Sequence, residues 1–169
     1  MKKTVLAGAV VLATLLPGVV VAEETATATT LVAKNQEWTI DAVSPAAGEE
    51  ILVVMHSAKD CGYCKAWKES ATAGRSQFEP WLKSHAKVRF LTIERERIAT
   101  PEVADNYPAE IAWLWDVKSH STEKRATRPP VPAFEVIIGK TVLFKDFGTD
   151  GWEDAVFPKL KSLDGRRKS

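Results

Sequence analysis

Cys61 and Cys64 are the two cysteines of this 169-residue chain, and they stand three apart in a Cys-Gly-Tyr-Cys run. A bridge at that spacing closes almost no loop, so it adds little stability. A zinc site would need two more ligands, and His56, His85 and His120 are the candidates. Covalent haem attachment calls for His after the second cysteine, where Lys65 stands. Reversible thiol–disulfide exchange is the chemistry that two thiols at this spacing serve best.

That chemistry needs a particular setting. Ile51-Leu52-Val53-Val54-Met55 is a continuous apolar run of strand length, suited to a strand buried on both faces. His56 to Asp60 leave the strand. The Cys-Gly-Tyr-Cys run follows, then helix-forming residues to Ala73 and a stop at Gly74. Cys61 therefore falls at a helix start, where unpaired N–H groups and the positive end of the helix dipole favour its thiolate. Cys61 is the expected nucleophile, and Cys64, one turn further in, resolves the mixed disulfide. Cys64, Trp67 and Ala71 are spaced to share a buried helix face. Gly62 and Tyr63 tune the balance between the redox forms. Lys59 and Lys65 flank the motif as candidate anion-stabilising charges, and Asp60 opposes them.

The rest of the chain supplies a mixed α/β pattern. Trp38 to Val43 suits a short strand or a helical turn, and Ser44 to Glu50 a loop. Phe78, Trp81, Leu82 and His85 mark a second short helix or a continuation of the first, with Pro80 at its start or at a kink. Val88 to Ile93 alternates as a strand, and the charged run Glu94 to Arg97 reads as solvated. Pro101 and Pro108 punctuate the next stretch. Ile111, Leu114, Trp115 and Lys118 then take helical spacing behind a cap at Asn106. Ser119 to Pro130 is a polar loop whose basic residues Lys124, Arg125 and Arg128 read as solvated. Ala133–Ile138, the turn Gly139-Lys140 and Thr141–Phe147 form a hairpin. Asp150 to Glu153 carries a capping pattern for a last helix that buries Trp152, Val156 and Leu160, and Pro158 should shorten or kink it. Gly165 to Ser169 reads as frayed. Strands alternating with helices and closed by a hairpin give a central mixed sheet flanked by helices.

The strand and helix around Cys61-Gly-Tyr-Cys64, with Val131-Pro132-Ala133-Phe134 ahead of the hairpin, resemble the thioredoxin superfamily over about Trp38 to Leu163. The Cys-Gly-Tyr-Cys motif is similar to that of periplasmic disulfide isomerases, and Val-Pro-Ala to the loop of periplasmic dithiol oxidases. The resemblance implies a thioredoxin-like fold with an extended segment before the cis-proline loop. It implies a cis bond at Pro132 near Cys61, with Pro129 and Pro130 as competing positions on sequence alone. It also implies that Val131 and Pro132 bind an extended substrate backbone as an added strand does. Met55 stands six residues before Cys61, where thioredoxin carries a buried acid.

The N-terminus reads separately. Met1-Lys2-Lys3 is basic, Val5 to Ala22 is almost wholly apolar, and Val20-Val21-Ala22 offers a cleavage site. Residues 1–22 are expected to be a cleaved signal peptide, with an uncleaved anchor as the alternative, and residues 23–36 a flexible leader. Residues 37–163 form the domain and 164–169 a flexible tail. No cysteine follows the apolar run, so a lipoprotein anchor is not expected. The expected location is periplasmic or secreted, an oxidising compartment. The formal charge of +1 argues against nucleic acid. The expected function is an exported thiol–disulfide oxidoreductase, a monomer acting on cysteine-containing exported proteins with a redox partner protein, and needing no organic cofactor or metal. The alternatives are a thioredoxin-fold binding protein, chaperone or adaptor, and metal handling through the two thiols and His56.

Overall fold

A computed structural model describes residues 40–123 and 125–167. Residues 1–39, on which the expected signal peptide and leader and Trp38 fall, lie outside the described residues, as do Lys124 and residues 168–169. The order of elements is β1 (Ile51–Ala58), α1 (Gly62–Glu69), α2 (Arg75–Lys83), β2 (Val88–Arg95), α3 (Ala112–Ser119), β3 (Ala133–Ile138) and β4 (Thr141–Phe147). A terminal helical run follows, made of α4 (Gly148–Asp150), a π-helical segment (Gly151–Val156) and α5 (Phe157–Gly165).

The four strands lie in the order β2-β1-β3-β4. β1 pairs parallel with β2, starting at Ile51 opposite Val88. It pairs antiparallel with β3, where Val54 meets Glu135 and His56 meets Ala133. β3 and β4 form the hairpin, with a register shift between Val136 and Ile137. This mixed sheet with flanking helices is a thioredoxin-like fold.

Side chains alternate across β1, so the sheet has two cores. Ile51, Val53 and Met55 face an aromatic core with Trp67, Phe78, Phe134, Trp152 and Phe157. Trp67 is its centre, with ring centroids 5.0 Å from Phe134 and 5.1 Å from Trp152. Val54 faces a smaller core with Ile93, Tyr107, Ile111, Leu114 and Ile137 under α3.

Several elements differ from the sequence reading. His56, Ser57 and Ala58 remain in β1, because pairing with β2 continues to Ala58, pairing with β3 reaches His56, and partners exist for the polar side chains. α1 ends at Glu69, and Ser70 takes up the chain reversal by accepting from the Ala73 N–H, so Ala71 is exposed beyond the helix. Gly74 starts α2 instead of ending α1. Asn106 does not cap α3. Its side chain accepts from the Val103 N–H at 2.8 Å and closes its own short 3-10 turn, while the residue ahead of α3 is Ile111.

Asp150 makes no cap, since the last helix already begins at Gly148. Pro158 does not break that helix. It sits in the first turn of α5, directly after the π segment. The register change there accommodates a residue without an N–H donor. Trp152, Val156 and Leu160 are buried as expected. The C-terminal segment is not frayed as far as Arg167. Arg166 donates to the Ile40 and Val43 carbonyls, and Arg167 to Asp164 and to the Ala46 and Glu49 carbonyls.

Gly74 has φ +56°, and a Cβ there would lie 2.7 Å from the Trp67 carbonyl oxygen and 3.0 Å from its ring. Both strain and clash oppose a side chain. Gly74→Ala should cost about 1–3 kcal/mol in urea unfolding. Gly48→Ala, where a Cβ meets nothing within 4 Å, should change stability far less. Equal losses at the two positions would contradict this account.

Candidate active site

β1 delivers the chain to Cys61 through one short turn, in which the Cys61 N–H donates to the Ala58 carbonyl at 3.1 Å. Cys61 is the N-cap of α1 with extended backbone, and its sulfur accepts from the Cys64 N–H at 3.0 Å. This is the expected placement at a helix start, where backbone donors and the dipole stabilise negative charge on sulfur.

Cys61 and Cys64 form a disulfide with Cα atoms 5.2 Å apart. Both residues are only 1% exposed, while Tyr63 between them is 73% exposed. Met55, Trp67 and Phe134 share their core cluster. The sulfur pair therefore rests on the aromatic core, with Gly62 and Tyr63 forming its outer surface.

The flanking charges have other partners. Lys59 pairs with Glu96, whose hydrogen bond raises the lysine pKa. The Asp60 carboxylate accepts from the Ile98 N–H at 2.7 Å, so it anchors the segment after β2. Lys68, one turn beyond Cys64, bonds Glu94 at 2.7 Å, and that bond lowers the Glu94 pKa.

The Val131–Pro132 peptide bond is cis. Pro132 is buried, and Val131 is half-buried against the cysteine-containing cluster. The Pro132 carbonyl accepts from the Gly148 N–H at 2.7 Å, which ties this loop to the start of the terminal helix. Since Ala133 pairs with His56, residues 131 and 132 run beside the end of β1 that leads to Cys61. The structure thus places Cys61, Gly62, Tyr63, Cys64, Val131 and Pro132 at one end of the sheet.

His56 belongs to the other face. It shares the parity of Val54 along β1 and is fully buried. Its Nδ1 lies 2.7 Å from Glu102 and its Nε2 3.4 Å from Glu135. Glu135 also accepts from Lys118 Nζ at 2.6 Å, and Glu102 from the Tyr107 hydroxyl at 2.5 Å. Arg95 is buried beside them, 4.0 Å from Glu102. Four of these groups escaped sequence reasoning. Arg95 sat in a run that reads as solvated, Glu102 and Glu135 were not singled out, and Lys118, though spaced with Ile111 and Leu114, was not read as a buried charge. The one available hint was a strand whose alternation places charged residues on an apolar face.

Burial lowers the His56 pKa and Lys118 adds to that, but Glu135 and Glu102 outweigh both, so it is raised. Burial raises Glu102 and Glu135, yet His56 and Lys118 hold both below the usual carboxylate value. Burial, and then Glu102, push the Tyr107 hydroxyl up.

Among the described residues, no group of three or more His, Cys, Asp or Glu side chains is placed to hold a metal ion. No protein-family model matches the chain, and no curated protein matches it. Among solved structures it is similar to the germline-specific thioredoxin Deadhead of Drosophila melanogaster, at 16% identity and a TM-score of 0.40, over 68% of this chain and 81% of that one. It is also similar to thioredoxin f from spinach chloroplast, at 17% identity and a TM-score of 0.39, over 78% and 89%. A thioredoxin of Fasciola hepatica stands at 18% identity and a TM-score of 0.37, over 70% and 82%. The chain combines a mixed four-stranded sheet of order β2-β1-β3-β4, flanked by helices, with a Cys-x-x-Cys disulfide at a helix N-terminus.

A histidine pKa raised on folding adds stability that is complete below its ordinary value of 6.5 and is lost as pH rises through the folded value. His56→Gln should therefore destabilise the protein by about 3 kcal/mol near pH 6, the scale of breaking a buried pair. The loss should shrink toward pH 9. Urea unfolding of both proteins across that range checks it, and a deficit that grows with pH would show the sign to be wrong.

Proposed function

We propose that this protein is an exported thiol–disulfide oxidoreductase that exchanges its Cys61–Cys64 disulfide with cysteines of exported proteins. The observation that carries the reading is the Cys61 sulfur at a helix N-terminus, accepting the Cys64 N–H at 3.0 Å. In the oxidising direction, a client thiolate attacks Cys61 Sγ, the Cys61–Cys64 bond breaks, and the electron pair leaves on Cys64. A second client thiolate then attacks the client sulfur of the mixed disulfide and releases Cys61 as a thiolate. The client leaves as a disulfide, and the two enzyme sulfurs take up two protons. In the reducing direction, the Cys61 thiolate attacks a client disulfide, and Cys64 attacks Cys61 Sγ to release the client dithiol.

Helix-end stabilisation makes Cys61 the better leaving group and the more populated thiolate. Cys64, on the core side of the helix, resolves the mixed disulfide. Gly62 and Tyr63 present the surface over the sulfurs. Val131 and Pro132 offer backbone to an extended client segment beside them. The apolar N-terminal run of the sequence supports export to the periplasm or beyond.

The burial of both cysteines favours a second reading, a binding protein or adaptor whose disulfide stays closed. Reduction separates the two. A couple near about −120 to −180 mV against a glutathione series supports an oxidase or isomerase, and one near about −270 mV a reductase. A pair that glutathione cannot reduce supports the binding reading. In the redox reading, Cys61→Ser abolishes turnover and Cys64→Ser accumulates a mixed disulfide with a client peptide. Turnover retained in Cys61→Ser would exclude the mechanism.

A further inference from the structure

We propose that Arg95, supported by Glu102, is a positioning residue that sets the client-binding loop Val131–Pro132, and so controls reaction with extended protein substrates but not with small thiols. The inference rests on the redox reading above.

Arg95 is the last residue of β2 and is 1% exposed. Its guanidinium donates from Nη2 to the Pro129 carbonyl at 2.8 Å. Among the described residues, Nε and Nη1 meet no acceptor within hydrogen-bond distance. Its backbone carbonyl accepts from the Lys59 N–H at 3.1 Å, two residues before Cys61. One residue thus contacts the chain leading to the nucleophile and the chain leading to Pro132.

Glu102 works from the same place. Its carboxylate bonds His56 on β1 and Tyr107, and lies opposite Arg95. Its backbone N–H donates to the Thr127 carbonyl at 2.7 Å. The segment between β2 and β3 contains two 3-10 turns and one eight-residue helix, so sheet pairing does not hold its last residues. The bonds to Thr127 and Pro129 fasten it just ahead of Val131.

A buried guanidinium is a costly way to hold a fold, and apolar packing of the same volume often serves stability as well or better. Its planar, directional donors suit fixing a carbonyl in place. The chemistry at sulfur depends on the α1 cap, which Arg95 does not touch. Backbone recognition by Val131 depends on where the loop lies.

The test compares reduction of the Cys61–Cys64 disulfide by dithiothreitol and by a synthetic dithiol peptide, followed by stopped-flow tryptophan fluorescence. Arg95→Met should lower the second-order rate with the peptide about tenfold, equivalent to about 1.4 kcal/mol. The rate with dithiothreitol should stay within about twofold and the reduction potential should not move. Arg95→Lys keeps the buried cation with a single donor group. It should recover part of the peptide rate, and it carries the test if Arg95→Met does not fold. Equal losses with both reductants, or no loss with the peptide, would overturn the inference. A wild-type disulfide that reacts with neither reductant would instead remove the redox reading itself.

Discussion

β1 is the constraint on which the site depends. It is hydrogen-bonded along both edges, to β2 in parallel and to β3 in antiparallel register. Both faces are covered, so its path leaves little freedom to the chain that emerges at Ala58. The Cys61 N–H is taken by the Ala58 carbonyl, and the Lys65 N–H by the Cys61 carbonyl. The sulfur of Cys61 is thus set at the helix end by the strand before it. The same register brings Ala133 beside His56, and with it the cis-proline loop. Cys61 and the Val131–Pro132 backbone are neighbours because one strand leads to both.

The alternation of β1 also divides the site from the polar network. Met55 points to the aromatic core under the disulfide, and His56 to the opposite face under α3. Met55 gives the cysteines an apolar floor, and charge is concentrated across the sheet instead. His56, Glu102, Glu135, Lys118 and Arg95 offset one another's charge there, since burying any of them without a counter-charge is costly. Each comes from a different element or from the long segment before β3, so the network clamps that segment to the sheet.

The terminal helix shows a second use of local irregularity. The π segment ends just before Phe157 and Pro158, so the helix runs on past a proline and Trp152, Val156, Leu160 and Leu163 all reach the core. Arg166 and Arg167 then bind carbonyls of residues 40–49. The two ends of the described chain are joined by these bonds.

Much of this was legible in the residues themselves. β3, the Gly139-Lys140 turn and β4 fall where alternation and turn chemistry place them, because a hairpin is a local structure. The Cys-Gly-Tyr-Cys run after an apolar strand specified a helix-capping sulfur for the same reason. What the residues did not reveal were features decided by distant partners. β1 runs on through His56 because Glu102 and Glu135 receive that side chain from 46 and 79 positions away. Arg95 is buried inside a charged run because Glu102 and the Pro129 carbonyl meet it. α1 stops before Ala71 because the chain must reverse at Gly74 to lay α2 against it. Periodicity and capping are short-range and can be read along the chain. The neutralisation of a buried charge, and the loop such a charge holds, exist only once the strands have brought its partners together.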